Sequence, residues 1–476
     1  MKHGPLEYCE GVARLTPKLA PWMLAELIDV QSLDDLLIRH GSPLHVHVPS
    51  QMQANITSIR SVAAARNIAL EMHFACKANK CSWYATEAFR ANIGIDVASE
   101  TELMAGIEAG FSGSRIVVTA SVKSESLVAT AATVGAIVVV ASVEDADTVA
   151  RFLVGHPDAA VNVSIRISGF AFPKGRHESR FGFDIADAAA QIRSLMQRHS
   201  DVANRISVRG IHFHLDGTSV TQRVVGIRQS IELTTALRQH GHPIEFVDIG
   251  GGAPVQYLER SDDWIDFHRR VDRQIDGDDT DAVLLPNHTY GRSKIDGNYA
   301  QVLRNYPTWQ ADEAASWFGK ILDGDGIAKS LADNDLRLHC QPGRALLDGC
   351  GITVARVVSI KPMASGDVVV MLDMNQTHCR TTSVDFAIDP ILLPNAREVR
   401  GTSLTGFLAG NYCAEDDFIS PRRFRFSRSV YPGDLIVFPN TAGYQMHFME
   451  SRGHQFELPQ NIAIAGDDTG RDQRAE

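Results

Sequence analysis

Lys77 is the residue whose type and setting most clearly indicate chemistry. It ends an apolar, β-rich stretch at residues 71–76, which places its amine at the end of a buried strand. Partial desolvation lowers the pKa of a lysine and frees its amine to form an imine with an aldehyde. The structural alternative is an ordinary charge at a strand end.

Five further motifs follow Lys77 in chain order, and each is weak alone. They are Phe213-His214, Asp248-Ile249-Gly250-Gly251-Gly252, Gln341-Pro342-Gly343-Arg344, Cys413 and Gly443-Tyr444. Consecutive glycines let backbone N–H groups approach an anion, although a tight turn explains them equally well. An arginine adds a charge-assisted bond to phosphate, a tyrosine adds a hydroxyl donor, and a histidine can lie flat on an aromatic ring. With the lysine, the set predicts a site that holds pyridoxal 5'-phosphate (PLP) as a Schiff base.

A metal site is the competing interpretation of the histidines. His212 and His214 alternate onto one face of their predicted strand. No carboxylate or third ligand is spaced to complete such a pair, so we expect no metal ion.

Recurrent β-rich runs indicate the elements that position these residues. Helix-like segments separate most of them, and several runs are nearly continuous in Val and Ile, as in strands buried on both faces. The runs are 71–76, 93–97, 115–119, 136–141, 161–167, 208–215, 246–249 and 336–341. Eight such units predict a (β/α)8 TIM barrel. The alternative, an open doubly wound sheet, is disfavoured because no G-x-G-x-x-G follows the first run.

The motif residues up to Arg344 fall at the carboxyl ends of these runs, where barrel active sites form. After Arg344, short strands with Gly, Pro and Asn turns predict a β domain. We therefore predict a barrel at residues 50–345 and a β domain made of residues 1–49 and 346–476. Residues 255–335 exceed what one crossover helix needs. A place at the active-site rim and a surface or dimer-contact role stay equally open for this insertion.

The composition of the chain excludes several classes of binding partner. The net charge of −11, without a basic run, argues against nucleic acid and anionic membranes. The apolar runs are too short to cross a bilayer. The seven cysteines include no C-x-x-C pair, so we expect neither a disulfide framework nor structural zinc, and a cytoplasmic location fits best.

Taken together, the motifs resemble the fold-type III PLP-dependent enzymes: the diaminopimelate, ornithine and arginine decarboxylase family, with alanine racemase as a distant relative. The resemblance runs from residues 40–44 to Tyr444 and implies a homodimer with shared active sites. It implies that Lys77 is the Schiff-base lysine, with Asp96 as a carboxylate near it and Arg166 near a cofactor oxygen. It further implies that His214 stacks on the ring, that Gly250, Gly251, Gly252, Arg344 and Tyr444 hold the phosphate, and that Cys413 and Asp417 come from the other subunit. Residues 441–458 look closest to a branch acting on amino-acid conjugates in siderophore and natural-product pathways.

Three departures from the family pattern affect the expected chemistry. Gln341 replaces the glutamate that keeps the pyridine nitrogen protonated, and a neutral amide stabilises that charge less. The family's phosphate-binding serine has no direct match, which leaves Thr218 or Ser219 to replace it. After Cys413 the family's glutamate is Ala414, and the acids shift to Glu415, Asp416 and Asp417.

The resemblance implies a decarboxylase that removes the α-carboxylate of an amino acid or amino-acid conjugate, with Cys413 or a water protonating Cα. Two alternatives stay open: a racemase or epimerase, which Gln341 slightly favours, and a non-catalytic PLP-binding regulatory protein. Asp385 suggests a substrate with a basic tail and Arg292 suggests an anionic one. Glu415 and Asp417 are further candidates for substrate binding.

Overall fold

Eight parallel strands form a closed barrel in the computed structural model, which describes residues 7–173, 175–382, 386–395, 402–465 and 468–472. In chain order they are β1 (Leu70–Ala75), β2 (Gly94–Val97), β3 (Ile116–Val118), β4 (Ile137–Val140), β5 (Val161–Ser168), β6 (Ile206–His212), β7 (Phe246–Asp248) and β8 (Arg337–Cys340). Each strand pairs with the next, and β8 pairs with β1, so the ring closes. The predicted (β/α)8 barrel is confirmed, and the open sheet is wrong.

Helices accompany the strands, as the alternating pattern predicts. They are Gln51–Ala64, Ser82–Arg90, Glu100–Glu108, Glu125–Thr133, Val143–Gly155, Ala188–Arg198, Val220–Gln239, Ala314–Asp323 and Ile327–Asp333. Ser99, Ser142 and Ser219 begin three of them by accepting a hydrogen bond from the backbone N–H three residues on. This contact satisfies a donor that the first helical turn leaves unpaired. β4, with the sequence Ile-Val-Val-Val, is wholly buried because helices and barrel interior cover its two faces.

The chain segments before and after the barrel share a second sheet. Its strands are Glu7–Tyr8, Glu10–Gly11, Leu44–His47, Gly351–Pro362, Val368–Leu372, Ile391–Leu393, Leu404–Ala409, Phe424–Phe426, Leu435–Pro439, Gln460–Ala465 and Asp468–Arg471. Gly351–Pro362 lies at its centre and pairs with Leu44–His47, Val368–Leu372 and Leu435–Pro439. Two helices, Pro21–Ile28 and Val30–His40, lie between its early strands.

The long segment between β7 and β8 contains more than a crossover helix. Helix Ser261–Ile275 comes first, and the hairpin Arg292–Ile295 with Asn298–Gln301 follows. Helix Ala314–Asp323 then packs against Gln51–Ala64 and Val220–Gln239 as part of the barrel's outer layer. Smaller strands follow β5, where Ala171–Phe172 pairs with Gly175–Arg176 and Phe183–Asp184 pairs with β5 itself.

Membrane insertion through a helix finds no support in this fold. Across the described ranges, no helix combines the length and the apolar character that crossing a bilayer requires.

Candidate active site

A cavity of about 190 Å³ lies where β1, β6, β7 and β8 end. It is lined by side chains and backbone from four different strand ends and from the chain segment that forms the second sheet. The lining residues are Lys77, His214, Leu215, Asp216, Gly217, Gly251, Gly252, Ala253, Tyr306, Gln341, Gly343, Arg344 and Tyr444. The motif residues that are hundreds of positions apart in sequence thus meet at the carboxyl face of the barrel, where this fold places its active sites.

Lys77 meets Asp96 at the edge of this cavity. Its Nζ lies 3.1 Å from Asp96 Oδ2, and Thr119 donates its hydroxyl hydrogen to the other carboxylate oxygen. Asp96 is 1% exposed, and its negative charge holds the pKa of Lys77 above the usual range. The expectation that desolvation lowers this pKa is therefore wrong, because the buried carboxylate outweighs the effect of burial.

His214 lies beside the glycine loop as a neutral ring. Its Nδ1 accepts a hydrogen bond from the backbone N–H of Gly251 at 3.2 Å. Burial lowers the pKa of His214 to about 3, so the imidazole carries no charge at neutral pH. A neutral ring held by its edge can offer its face to a flat aromatic ligand.

The glycine loop after β7 has no room for side chains. Gly250 and Gly252 have φ angles of +65° and +97°, which L side chains rarely adopt. A Cβ on Gly252 would lie 2.3 Å from Arg223 Nη2, and one on Gly250 would lie 2.7 Å from the Phe213 carbonyl oxygen. Glycine is therefore required by this backbone, not merely tolerated.

Arg223, on helix Val220–Gln239, ties the loop after β6 to the loop after β7. Its Nη2 donates to the carbonyl oxygens of Leu215, Gly217 and Gly251 at 2.7, 3.2 and 3.1 Å. The side chain is fully buried, and burial lowers its pKa to about 10. At neutral pH the guanidinium is still charged.

Arg344 also lines the cavity and is held there by aromatic groups. Its Nη1 donates to Tyr257 Oη at 3.0 Å and to the Gly443 carbonyl at 3.1 Å. The rings of Tyr306 and Tyr444 lie 4.1 and 5.1 Å from its guanidinium carbon. Within the described ranges it pairs with no carboxylate, so its charge is free to bind an anion.

Gln341 is paired with a buried acid. Its Nε2 donates to Asp248 Oδ2 at 2.8 Å, and its Oε1 lies 3.3 Å from His212 Nε2. Asp248 Oδ1 accepts a hydrogen bond from the backbone N–H of Gly250 at 2.8 Å. Burial raises the pKa of Asp248 to about 7. A carboxyl group thus lies directly behind the amide that replaces the family's glutamate.

These features fit PLP. The cavity offers an amine for the aldehyde, a neutral imidazole face for the ring, and a side-chain-free loop flanked by Arg223 and Arg344 for the phosphate dianion. Backbone N–H groups and uncompensated arginines are the donors that phosphate prefers.

Other predicted site residues lie outside this cavity in the single chain. Arg166 packs on the ring of Phe181, 4.7 Å from its centroid. Arg292 forms an ion pair with Asp272. Cys413 and Glu415 are exposed, and Glu415 lines a separate cleft with Arg380. Asp385 lies outside the described residues.

Three polar residues near the site have other partners. Asp417 is buried and accepts backbone N–H groups of Gln376 and Tyr412, so it holds the loop that carries Cys413. Ser219 caps its helix, and Thr218 donates to Gln310 Oε1 at 3.2 Å. The replacement for the phosphate-binding serine therefore stays a prediction.

Sequence reasoning missed Arg223, Tyr306 and the pairing of Asp248 with Gln341. Arg223 gives one usable signal, because an arginine four positions after a capping serine, among apolar neighbours, indicates a buried cation. Tyr306 follows the hairpin of the insertion in a stretch without periodicity, so no local pattern marks it.

Comparison with known proteins adds independent evidence. The family model described as "Pyridoxal-dependent decarboxylase, pyridoxal binding domain" matches residues 44–275. The uncharacterized protein y4yA of Sinorhizobium fredii is 29% identical over 98% of this chain and 97% of that protein. The diaminopimelate decarboxylase of Staphylococcus aureus is 22% identical over 91% of this chain and 90% of that protein. The crystal structure of diaminopimelate decarboxylase from M. jannaschii shares the fold, with a TM-score of 0.68 and 16% identity, over 93% of this chain and 92% of that chain.

Proposed function

Because the chain belongs to the fold-type III PLP-dependent decarboxylases, we propose that Lys77 carries the cofactor of an enzyme that removes the α-carboxylate from an amino acid or an amino-acid conjugate. The observation that supports this most directly is the convergence of Lys77, His214, the glycine loop and Arg344 on one cavity. Tyr444 completes the set from the second sheet's segment.

Each group has a proposed task that follows from its contacts. Asp96 orients the Lys77 amine and keeps it protonated until cofactor or substrate arrives. His214 positions the cofactor ring, and the loop 250–252 with Arg344 and Tyr444 binds the phosphate. PLP, when bound, supplies the electron sink for the pair left on Cα as CO₂ departs.

The walls of the cavity favour loss of the substrate's charge. Leu215, Ala253 and Tyr306 line it with apolar surface. A carboxylate placed against such surface is poorly solvated, which favours its conversion to neutral CO₂. With cofactor and substrate in the site, the amine of Lys77 would be placed to move a proton at the substrate nitrogen.

Protonation of Cα is assigned to Cys413 from a second copy of the chain. In one chain Cys413 is exposed and lies on a loop held by Asp417, away from the residues that line the cavity. In a homodimer with shared active sites, that thiol would protonate Cα at the cavity of the other copy. The seven cysteines include no C-x-x-C pair, which supports a reducing compartment such as the cytoplasm.

The decisive experiment measures CO₂ release. PLP-reconstituted enzyme is incubated with carboxyl-labelled L- and D-amino acids and with amino acids joined to citrate, glutamate or a carrier protein. We expect labelled CO₂ from at least one substrate and none with Lys77→Ala. Exchange of the α-proton without CO₂ would instead indicate a racemase, and binding of PLP without either reaction would indicate a regulatory protein.

A further inference from the structure

The barrel interior below the Lys77 cavity is polar where barrels commonly carry branched apolar side chains. Glu71 and His73 alternate along β1, and His339 lies on β8 in register with Glu71. Ligand atoms of the three side chains all lie within 4.8 Å of one another. Two imidazoles and one carboxylate form a ligand set that suits Zn²⁺.

Both histidines are buried, and some of their ring nitrogens have no hydrogen-bond partner in the part of the chain that the structure describes. His339 is 0% exposed, and neither its Nδ1 nor its Nε2 has a hydrogen-bond partner among the described residues. The same holds for Nδ1 of His73, which is 1% exposed. Leaving buried polar atoms unpaired costs free energy, so these nitrogens require a ligand that the chain does not provide.

One pair of donors has the spacing of metal ligands rather than that of a hydrogen bond. His339 Nε2 lies 3.5 Å from Glu71 Oε2, without hydrogen-bond geometry. With metal–ligand bonds of ~2.0–2.2 Å, neighbouring ligand atoms of a tetrahedral site are ~3.3–3.6 Å apart.

Outer contacts orient two of the three ligands. His73 Nε2 donates to the Ser114 carbonyl at 3.1 Å, which leaves the lone pair on Nδ1. Arg337 Nη1 donates to Glu71 Oε1 at 2.5 Å, which leaves Oε2. Metal-binding histidines and carboxylates are commonly fixed by such contacts. Arg337 Nη2 also lies 2.8 Å from Glu245 Oε2. This second carboxylate partly compensates the positive charge of Arg337, so that charge repels a bound cation less.

An opening at the amino-terminal face of the barrel leads to two of the three residues, Glu71 and His73. A cavity of about 450 Å³ is lined by Glu71, His73, Ser114 and Arg115, among others. It gives a metal ion a path and leaves room for water as a further ligand.

We propose that Glu71, His73 and His339 bind a divalent transition-metal ion of the Zn²⁺ type inside the barrel. The site lies one interior layer below the Lys77 cavity, because His339 precedes Gln341 by two residues on the same side of β8. The amino-terminal part of such barrels serves stability, so the ion stabilises the barrel and takes no part in decarboxylation.

The test uses PLP-loaded enzyme that has been treated with a chelator and dialysed. Isothermal titration with ZnCl₂ and elemental analysis after gel filtration measure affinity and stoichiometry. We expect about one zinc ion per chain, and binding weaker by about 100-fold or more in Glu71→Gln and in His339→Phe. His339→Phe keeps a ring against Phe246, whose centroid lies 4.0 Å from the His339 ring.

Glu245→Gln is the matched control, because it removes the other carboxylate of Arg337 and none of the three ligands. It should bind zinc as the wild type does, and zinc should raise the melting temperature of both but not of Glu71→Gln. Absence of stoichiometric zinc, or equal binding by wild type and Glu71→Gln, would overturn the proposal. Should His339→Phe not fold, Glu71→Gln still decides, since Glu71 is 36% exposed and tolerates a polar replacement. None of these outcomes bears on CO₂ release.

Discussion

At the scale of single residues, the charge state of Lys77 is set by Asp96. The two side chains are 3.1 Å apart, and Asp96 raises the pKa of the amine in the cofactor-free chain. An amine must lose its proton before it attacks an aldehyde. Asp96 therefore controls the pH at which the free enzyme captures its cofactor.

Asp96→Asn should shift cofactor capture to lower pH. Removal of the negative charge lowers the pKa of Lys77, and each unit of decrease raises the fraction of free amine about tenfold near neutral pH. The initial rate of PLP uptake by cofactor-free enzyme, followed by visible absorbance across a pH series, measures this. Thr119→Val is the control, since it removes a hydrogen bond to Asp96 but keeps the charge. An unchanged midpoint in Asp96→Asn would contradict the role of Asp96.

Asp248 leads to a second prediction about pH. Its effect on how stability changes with pH has the opposite sign from that of a salt-bridged acid. Burial raises its pKa from 3.8 to about 7, so the folded chain binds this proton more tightly than the unfolded chain. The resulting stability is complete below pH 3.8 and is lost as the pH rises towards 7. Asp248→Asn lacks this dependence.

Urea unfolding of the two cofactor-free chains, at about pH 5 and about pH 8, measures the effect. The free energy of unfolding of wild type should fall relative to that of Asp248→Asn by on the order of 2 kcal/mol between these conditions. A constant difference between the two chains at both pH values would show that Asp248 is not a buried, proton-binding carboxyl.

At the scale of elements, helix Val220–Gln239 acts on the cofactor through Arg223. Three carbonyl oxygens of two loops converge on one Nη2, which holds together two loops that line the cavity. The buried charge has no carboxylate partner in the described ranges. A phosphate dianion bound by the glycine loop would compensate it.

Arg223→Met should therefore weaken PLP binding much more than pyridoxal binding. Loss of one charge-assisted contact costs about 1.5–3 kcal/mol, which is roughly 10- to 100-fold in affinity. Fluorescence titration of the cofactor-free enzyme with each compound gives the ratio. Arg228→Met is the matched control on the same helix, because Arg228 is about half exposed and forms only a 3.6 Å ion pair with Asp325. Equal losses for PLP and pyridoxal would assign Arg223 a purely structural role.

Elements with a local signal could be predicted from the sequence, and those set by distant contacts could not. The eight barrel strands can be predicted as β-rich runs, and several of these runs are almost wholly apolar because both faces of the strand are covered. Glu7–Tyr8 cannot be predicted, because a two-residue strand is specified only by its partner Ile391–Leu393. The cavity residues at strand ends can be predicted once the barrel is recognised, because active sites of this fold form at the carboxyl ends of the strands. Tyr306 cannot be predicted in this way, because it reaches the cavity through the packing of the long segment between β7 and β8.

At the scale of the whole molecule, one chain leaves Cys413 exposed and outside the cavity. Its loop is ordered by Asp417, so the thiol is presented at a defined place on the surface. The sequence indicated two parts of the chain and a shared site, but a single chain carries no contact that tests the assembly. The shared active site therefore stays a prediction about the dimer.

Mixing two inactive variants, Lys77→Ala and Cys413→Ala, should restore activity. Random exchange of subunits makes half of the dimers mixed, and each mixed dimer regains one intact site, so about a quarter of wild-type activity should return. CO₂ release after denaturation and joint refolding measures it, and differently tagged chains show that mixed dimers form. Mixed dimers without activity would place Cys413 and Lys77 in the same chain's site, and activity of Cys413→Ala alone would remove Cys413 from catalysis.

Every role proposed for the cavity depends on attachment of the cofactor to Lys77. Borohydride reduction of the PLP-loaded enzyme, followed by proteolysis and mass spectrometry, locates the attachment directly. We expect one modified peptide, modified at Lys77, and loss of this label in Lys77→Ala. A label on any other lysine, or no label after reconstitution with PLP, would contradict it.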